Sequence, residues 1–196
     1  MSSASTVKVF AYGSNLHLNR MQQRAPSALP IGIGYVKRRR IAFRKRSVDG
    51  SAKADAWFTG RPRDRVWGAI YSVNSRDKFS LDKHESLGVG YDESKIEVHV
   101  ASGRSMSAFI YEARHEVIDD SLDPYSWYLE FVRHGALQHG LPFCYINQEL
   151  AIKSIPDPDP DRRTTNKLIL SGNASVSAAN ASVSAAENLR QTRLKK

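Results

Sequence analysis

The sequence predicts a mixed α/β domain of the α+β kind, with six or seven strands and three or four helices. Strand-like alternation of apolar and polar residues recurs up to Ile155, and helical patterns lie between and after these segments. The segments do not follow the strict strand–helix alternation of a doubly wound parallel sheet. At 196 residues, the chain is long enough for one domain with a proper hydrophobic core.

The first strand and the turn after it form the most informative segment. Alternation over residues 7–12 predicts a strand, and Gly13, Ser14 and Asn15 follow it directly. We expect Gly13 to adopt a positive φ, and Ser14 or Asn15 to cap a helix over about His17 to Arg24. Free N–H groups at such a turn attract a carboxylate, a phosphate or a developing oxyanion. An ordinary strand–turn–helix corner is the alternative.

Later segments continue the strand pattern. The basic run Lys37 to Arg46 supplies much of the net charge of +9, and we interpret it as a strand with alternate cations on opposite faces. Its charge is typical of a solvated sheet edge, and it also suits an anionic partner such as nucleic acid, an acidic substrate or another subunit. A short strand is also expected over Thr164 to Leu170. The other strand-like segments are Ala54 to Gly60, Val66 to Val73, Ile96 to Val100 and Met106 to Ala113.

A predicted three-turn helix ends close to a carboxylate. Asn74 is suited to be its N-cap, Asp77 lies in its first turn, and Glu85 falls at or just past its end. The helix macrodipole disfavours a negative charge near a helix C-terminus, so a partly buried carboxylate there gains a proton readily. A general acid/base needs that property. A solvated helix-end residue is the alternative.

A later helix is predicted to begin with Asp123 as its N-cap and Pro124 in its first turn. Its expected apolar face comprises Trp127, Tyr128, Phe131 and Val132. The spacing of these residues is typical of a helix that packs against the core.

Several kinds of site lack their sequence patterns. His134 and His139 are five residues apart rather than four, and neither H-E-x-x-H nor G-x-S-x-G occurs. The single cysteine, Cys144, excludes an intramolecular disulfide and a thiolate cluster, and we expect it to be buried on a late helix. The histidines are therefore assigned structural or surface roles, with His84 near the site through its neighbour. We expect no metal and no cofactor.

Four motifs occur in a recognisable order between about residues 7 and 153. They are F-A-Y-G-S-N-L at 10–16, V-W-G-A-I-Y at 66–71, L-D-K-H-E at 81–85 before a glycine-containing turn, and G-A-L-Q-H-G-L-P at 135–142. In this order and spacing they resemble the γ-glutamylcyclotransferase family, including the AIG2-like proteins. The resemblance implies a small, curled, largely antiparallel barrel-like sheet with flanking helices.

The resemblance also implies a reaction. Family members let the α-amine of a γ-glutamyl compound attack its own side-chain carbonyl, which releases 5-oxoproline and a free amine or amino acid. Glu85 would perform both proton transfers, and the turn would hold the glutamyl group and stabilise developing negative charge. The expected substrate-binding residues are Tyr12, Gly13, Ser14, Asn15, Leu16, His17 and Tyr128. For Tyr128, core packing is the alternative, and Phe109 stands where some relatives carry a tyrosine facing the pocket.

Two other functions stay open from the sequence. One is a catalytically quiet γ-glutamyl-binding or regulatory module, against which the retained Glu85 argues. The other is a basic protein that associates with RNA or another polyanion through Lys37 to Arg46, although no RNA-binding aromatic signature accompanies that run. The leaving amine is not identified by the sequence.

The chain is expected to divide near Ile155. Residues 1–155 form the predicted catalytic domain, and 156–196 form a Pro/Asp-rich linker with a mostly disordered basic tail that contains the repeat Asn173 to Ala186. The polar start, Met1 to Thr6, predicts a cytoplasmic protein. The expected partner is a small γ-glutamyl substrate, with neither a membrane nor nucleic acid involved, and a homodimer is compatible with the sequence.

Overall fold

A computed structural model describes residues 5–100 and 103–173 of the chain. In these ranges the strands are β1 Thr6–Ala11, β2 Leu29–Lys37, β3 Arg39–Arg46, β4 Ala52–Phe58, β5 Arg65–Asn74, β6 Tyr91–Val100 and β7 Ser105–Ala113. The α-helices are α1 Leu18–Arg24, α2 Ser75–His84, α3 Ser126–Gln138, α4 Phe143–Glu149 and α5 Pro160–Leu170. Short 3-10 turns span Ser14–Leu16 and His115–Val117.

Five of the strands close into a barrel in the order β1, β5, β2, β6, β7. Neighbouring strands are antiparallel except β1 and β7, which run parallel where Val9 lies opposite Phe109. The strands β3 and β4 form a separate antiparallel pair. This curled sheet with helices around it confirms the predicted α+β fold class.

The basic run is not one strand. Arg38 adopts a positive φ of 61°, a left-handed conformation that ends β2 and redirects the chain into β3. Its N–H donates to Asp64 and its carbonyl accepts from Thr59, so the turn is fixed on both sides. The predicted alternation of cations through Lys37 to Arg46 is therefore wrong, because the chain leaves β2 after Lys37 and enters the separate β3–β4 pair at Arg39.

The helix predictions also need correction. The segment Thr164 to Leu170, expected as a strand, belongs to α5, which begins at Pro160 because Asp159 accepts hydrogen bonds from the next free N–H groups. Helix α3 begins at Ser126 rather than at Pro124, since the Pro124 carbonyl instead accepts from the N–H of Ile155. The described residues thus contain five α-helices, against the three or four expected.

The chain divides into a compact unit that ends at Pro156 and a second that begins at Asp157. In the second unit, the buried Asp157 binds the guanidinium of Arg162 on α5 at 2.5 Å. The predicted repeat and basic tail lie outside the described residues from position 174 onward. No helix in the described ranges combines the length and the apolar character that crossing a bilayer requires.

Helix α3 packs with its backbone directly against the turn that follows β1. A Cβ added to Gly135 would lie 2.5 Å from both the backbone N of His17 and the carbonyl carbon of Leu16. Only glycine permits this approach, because backbone atoms cannot move aside as a flexible side chain can. The predicted apolar face of α3 is buried here, with Phe131 and Val132 fully inaccessible.

We predict that Gly135→Ala lowers the free energy of unfolding by about 1–3 kcal/mol through this clash, even though alanine is the better helix former. Urea unfolding measures the change. Gly32→Ala is the matched control, because a Cβ at Gly32 meets no atom within 4 Å. A Gly135→Ala protein as stable as the wild type would show that α3 can move away from the turn at no cost.

Candidate active site

Helix α2 delivers Glu85 to the site. The Asn74 side chain caps the helix by accepting from the N–H of Asp77 at 2.7 Å, as predicted, and Glu85 is the first residue after the last turn. Leu81 is fully buried, and the Asp82 carboxylate accepts the Tyr111 hydroxyl at 2.5 Å. In the motif L-D-K-H-E, Leu81 and Asp82 therefore fix the position of the helix, and Glu85 lies at the site.

One carboxylate oxygen of Glu85 is held in a three-residue network. Glu85 Oε1 accepts from Asn15 Nδ2 at 2.7 Å and from Arg24 Nη1 at 2.9 Å, and Arg24 Nη1 also donates to Asn15 Oδ1 at 2.7 Å. The side chains of Arg24 and Glu85 are only 15% and 12% exposed. These two partners fix the orientation of the carboxylate. Oε2 has no hydrogen-bond partner among the described residues.

Gly13 does not have the backbone conformation expected for it. Its φ is −97°, so no left-handed conformation requires glycine. The requirement is steric instead, because an added Cβ would lie 3.1 Å from the Tyr128 hydroxyl oxygen and 3.2 Å from the Cβ of Ala54. The prediction of a positive φ at Gly13 is wrong, and close packing around the turn is the reason for glycine here.

Ser14 and Asn15 do not cap the following helix. They begin a 3-10 turn in which the N–H of Leu16 donates to the Gly13 carbonyl at 2.9 Å, and His17 takes the N-cap position of α1 with no side-chain hydrogen bond. The N–H groups of Ser14 and Asn15 have no acceptor inside the turn that they begin. The N–H of Ser14 is directed instead at the hydroxyl oxygen of Tyr128.

An inner compartment of about 360 Å³ lies beside this turn. It is lined by residues 9–15 and by Ala54, Glu85, Tyr91, Tyr111 and Tyr128. Most of these residues are themselves buried, so core side chains form most of the wall of this compartment.

Three tyrosine hydroxyls of the inner compartment donate to fixed acceptors. Tyr12 donates to the Tyr111 carbonyl at 2.5 Å, Tyr91 to the Ala54 carbonyl at 2.8 Å, and Tyr111 to Asp82. Burial raises the pKa of all three phenols. They serve as neutral, structural groups around neutral pH.

Tyr128 differs from these three tyrosines because its hydroxyl has no acceptor among the described residues. The N–H of Ala54 donates to its oxygen at 2.9 Å, which leaves the phenolic hydrogen available to a ligand. Burial raises the pKa of Tyr128 to about 12, so the group keeps that hydrogen. Tyr128 both packs in the core and lines the cavity, so core packing does not exclude a contact with substrate.

An outer compartment of about 600 Å³ adjoins the inner one. The two share Ser14, Glu85, Tyr91 and Tyr128 as lining, and the outer one reaches the exposed Val48 at the surface. Its other lining residues include the cations Arg20, Arg24, Lys45 and Lys53. Glu85 thus stands where a narrow buried chamber meets a wider, positively charged one.

Two of the predicted substrate-binding residues lie outside both linings. Leu16 is buried, and its carbonyl accepts from the Tyr71 hydroxyl at 3.0 Å. The His17 ring lies edge-on to Phe131 with 5.3 Å between centroids, and its Nδ1 is buried without a hydrogen-bond partner in the described structure. These two residues anchor the turn, whereas Tyr12, Gly13, Ser14, Asn15 and Tyr128 line the cavity.

Two further expectations change. Phe109 is not among the lining residues, and the tyrosine that β7 presents to the inner compartment is Tyr111. Cys144 is exposed on α4 rather than buried. Its expected burial was wrong because it falls on the outer face of a short helix. Across residues 5–100 and 103–173, no three His, Cys, Asp or Glu side chains converge as metal ligands.

The sequence reasoning missed the cations of the site. Arg20 and Arg24 are four residues apart on α1, a spacing that puts both on one helix face, and this signal was present in the sequence. Lys45 and Lys53 had no comparable signal, because their approach depends on the pairing of β3 with β4.

Comparison with known proteins shows which proteins this chain is similar to. The AIG2-like family model matches residues 65–148. The γ-glutamylcyclotransferases of Bos taurus and Homo sapiens are 28% and 27% identical to the chain, over 69% and 74% of its length and 73% and 77% of theirs. A solved structure of a γ-glutamyl cyclotransferase superposes with a TM-score of 0.73, at 24% identity, over 83% of this chain and 99% of the other.

The chain is thus similar to AIG2-like proteins and to γ-glutamylcyclotransferases in sequence, and it shares their fold. The resemblance carried by the four motifs is thereby confirmed. The range matched by the family model contains Glu85 and Tyr128, while the turn at Gly13 lies before it.

We predict that His17 makes the stability of this protein sensitive to acid. Burial first, and the charges of His134, His139 and Arg20 after it, lower the pKa of His17 to about 4 from the usual 6.5. Between these values the unfolded chain binds the proton preferentially, so stability falls as the pH drops from 6.5 towards 4, by roughly 2–3 kcal/mol from this residue.

Unfolding by urea at several pH values measures this effect. The loss should be smaller in His17→Leu and unchanged in His115→Leu, which alters an exposed histidine. Equal acid sensitivity in the wild type and in His17→Leu would contradict the assignment of His17 as a neutral packing residue.

Proposed function

We propose that this protein is a γ-glutamylcyclotransferase that cleaves a γ-glutamyl amide into 5-oxoproline and a free amine or amino acid. The observation that carries the proposal is the position of Glu85 between the two compartments, with one oxygen fixed and the other unpartnered. A substrate that spans both compartments places its scissile amide beside this carboxylate. The homologues named γ-glutamylcyclotransferase support the same activity.

The reaction needs few protein groups, because the substrate supplies its own nucleophile. The α-amine loses a proton to Glu85 Oε2 and attacks the γ-carbonyl carbon, which forms the five-membered ring. The bond to the leaving nitrogen then breaks, and Glu85 returns the proton to that nitrogen. A chamber that holds the glutamyl chain in a curled conformation gains much of the advantage of an intramolecular reaction.

The network around Glu85 gives each member a task. Arg24 and Asn15 orient the carboxylate through Oε1, so that Oε2 can accept the proton of the α-amine. The N–H group of Asn15 and the hydroxyl of Tyr128 are donors for the developing oxyanion or for the glutamyl carboxylate. Leu16 and His17 contribute only by fixing the turn.

The alternative of a polyanion-binding protein finds little support in the structure. Within the basic run, Arg39 is paired with Glu112, Arg40 with Glu149 and Arg44 with Asp55. These partners neutralise cations that an RNA surface would leave free. A cytoplasmic location and a small-molecule partner are part of the proposal, which makes no assignment of oligomeric state.

We predict that Glu85→Gln lowers the rate of 5-oxoproline release by at least about 100-fold, because glutamine keeps the shape but cannot accept a proton. Incubation with a panel of γ-glutamyl compounds and detection of 5-oxoproline measures the rate. Glu97→Gln, which alters a carboxylate that is 66% exposed, is the matched control. Near-wild-type turnover by Glu85→Gln would remove Glu85 from the mechanism, and no 5-oxoproline from any wild-type reaction would reject the function.

We predict that Tyr128→Phe lowers kcat by about 10- to 100-fold, because a hydrogen bond made to developing charge is stronger than a neutral one. The substitution also leaves the Ala54 N–H without its acceptor, so unfolding is measured in parallel. Tyr35→Phe removes a hydroxyl outside both compartments and serves as the control. An unchanged kcat with reduced stability would assign Tyr128 to packing alone.

A further inference from the structure

The outer compartment holds more positive charge than the neighbouring carboxylates neutralise. Arg24 is paired with Glu85, and Lys53 Nζ lies 2.7 Å from an oxygen of Asp49. Arg20 and Lys45 form no salt bridge with any residue in the described part of the chain. The Arg20 guanidinium lies over the Phe131 ring at 4.8 Å, and its Nε is buried without a hydrogen-bond partner.

The placement of Lys45 opposite Lys53 lowers the stability of the fold. They are directly opposite each other in the β3–β4 pair, next to an irregularity in register between Phe43 and Lys45. Like charges at opposite positions destabilise a sheet, and a buried ammonium without a counter-ion adds to this. Lys45 is only 9% exposed, and its Nζ lies 5.0 Å from the Tyr91 ring centroid. An anion bound between the two ammonium groups would relieve both costs.

Burial acts on both lysines in the same direction. It lowers the pKa of Lys45, and it lowers that of Lys53 to about 8 despite the opposing effect of Asp49. A negatively charged ligand would restore the charged state of both amines.

The position of Glu85 decides which part of a substrate meets these cations. The glutamyl group is common to all substrates of the proposed reaction and fits the inner chamber beside the turn donors. The amide nitrogen at Glu85 then directs the leaving half into the outer compartment, towards Arg20, Lys45 and Lys53.

We propose that the outer compartment selects γ-glutamyl substrates whose leaving half is anionic, with Lys45 and Lys53 binding its α-carboxylate and Arg20 a second carboxylate. This inference rests on the proposed function. An acidic leaving amino acid, with two carboxylates, matches the two cations that lack a carboxylate partner. An uncharged leaving amine provides no carboxylate for Arg20 or for Lys45.

Three substrates that differ in the charge of the leaving half test the inference. They are γ-glutamylglutamate, γ-glutamylglutamine and γ-glutamylethylamine, which carry two, one and no carboxylates beyond the scissile amide. The value of kcat/KM should fall by about tenfold at each step in this order, as expected for the loss of one charged hydrogen bond. The differences should shrink as salt is added, because the outer compartment is open to solvent.

Substitution of Lys45 then assigns the selectivity to a residue. Lys45→Gln should lower kcat/KM for γ-glutamylglutamate by about tenfold or more, mainly through KM, and lower that for γ-glutamylethylamine by less than about threefold. Lys45→Arg, which keeps the charge, should retain most of the preference. Lys8→Gln, at an exposed lysine outside both linings, should behave as the wild type. Thermal unfolding of each variant controls for folding.

The outcomes separate the two proposals. If none of the substrates yields 5-oxoproline, the proposed function fails. If 5-oxoproline forms but the three substrates have equal kcat/KM, the selectivity fails while the function stands. If Lys45→Gln reduces all three equally, Lys45 binds the glutamyl carboxylate instead, and the inference is overturned.

Discussion

The site depends on one backbone contact, the approach of helix α3 to the turn after β1 at Gly135. This contact brings Tyr128, two turns earlier on the same helix, against Gly13 and lets its hydroxyl accept from Ala54 on β4. A barrel strand, a hairpin and a helix therefore meet at one phenol. Two close glycine contacts, at positions 13 and 135, both serve this junction. A larger residue at either position would push these elements apart.

Charge around Glu85 is arranged in two layers with opposite effects. The first layer, Arg24 and Asn15, satisfies one carboxylate oxygen and suits a group that must begin the reaction charged. The second layer consists of Arg20 and Lys45, two cations of the outer compartment that have no carboxylate partner in the described part of the chain. Buried or partly buried charges without partners reduce stability, and proteins retain them mainly where a ligand completes the pairing. The fold thus gives up stability at Lys45 and Arg20, away from the carboxylate itself.

Much of this arrangement could be predicted from local sequence, and the remainder depended on tertiary contacts. The cap at Asn74 and the position of Glu85 follow from helix rules that operate within one turn. The conformation of Gly13 did not follow, because its cause is the arrival of Tyr128 from a distant helix. The strand break at Arg38 could not be predicted, because an arginine rarely adopts a positive φ. The alternating pattern of the sequence also continues through this position without interruption. Helix α5 was taken for a strand because Asp159 and Pro160 were interpreted only as breakers, although together they form a helix start.

The two-compartment cleft also sets an order of events after the bond breaks. On the proposed mechanism the ring closes in the inner chamber, while the amine occupies the outer compartment, which reaches the exposed Val48. Where 5-oxoproline leaves through the outer compartment, the amine must depart first, since it stands on that path. Free 5-oxoproline can re-enter an empty enzyme and compete with substrate, whereas the amine can bind while the ring is still inside. The architecture thus predicts different inhibition patterns for the two products from geometry alone.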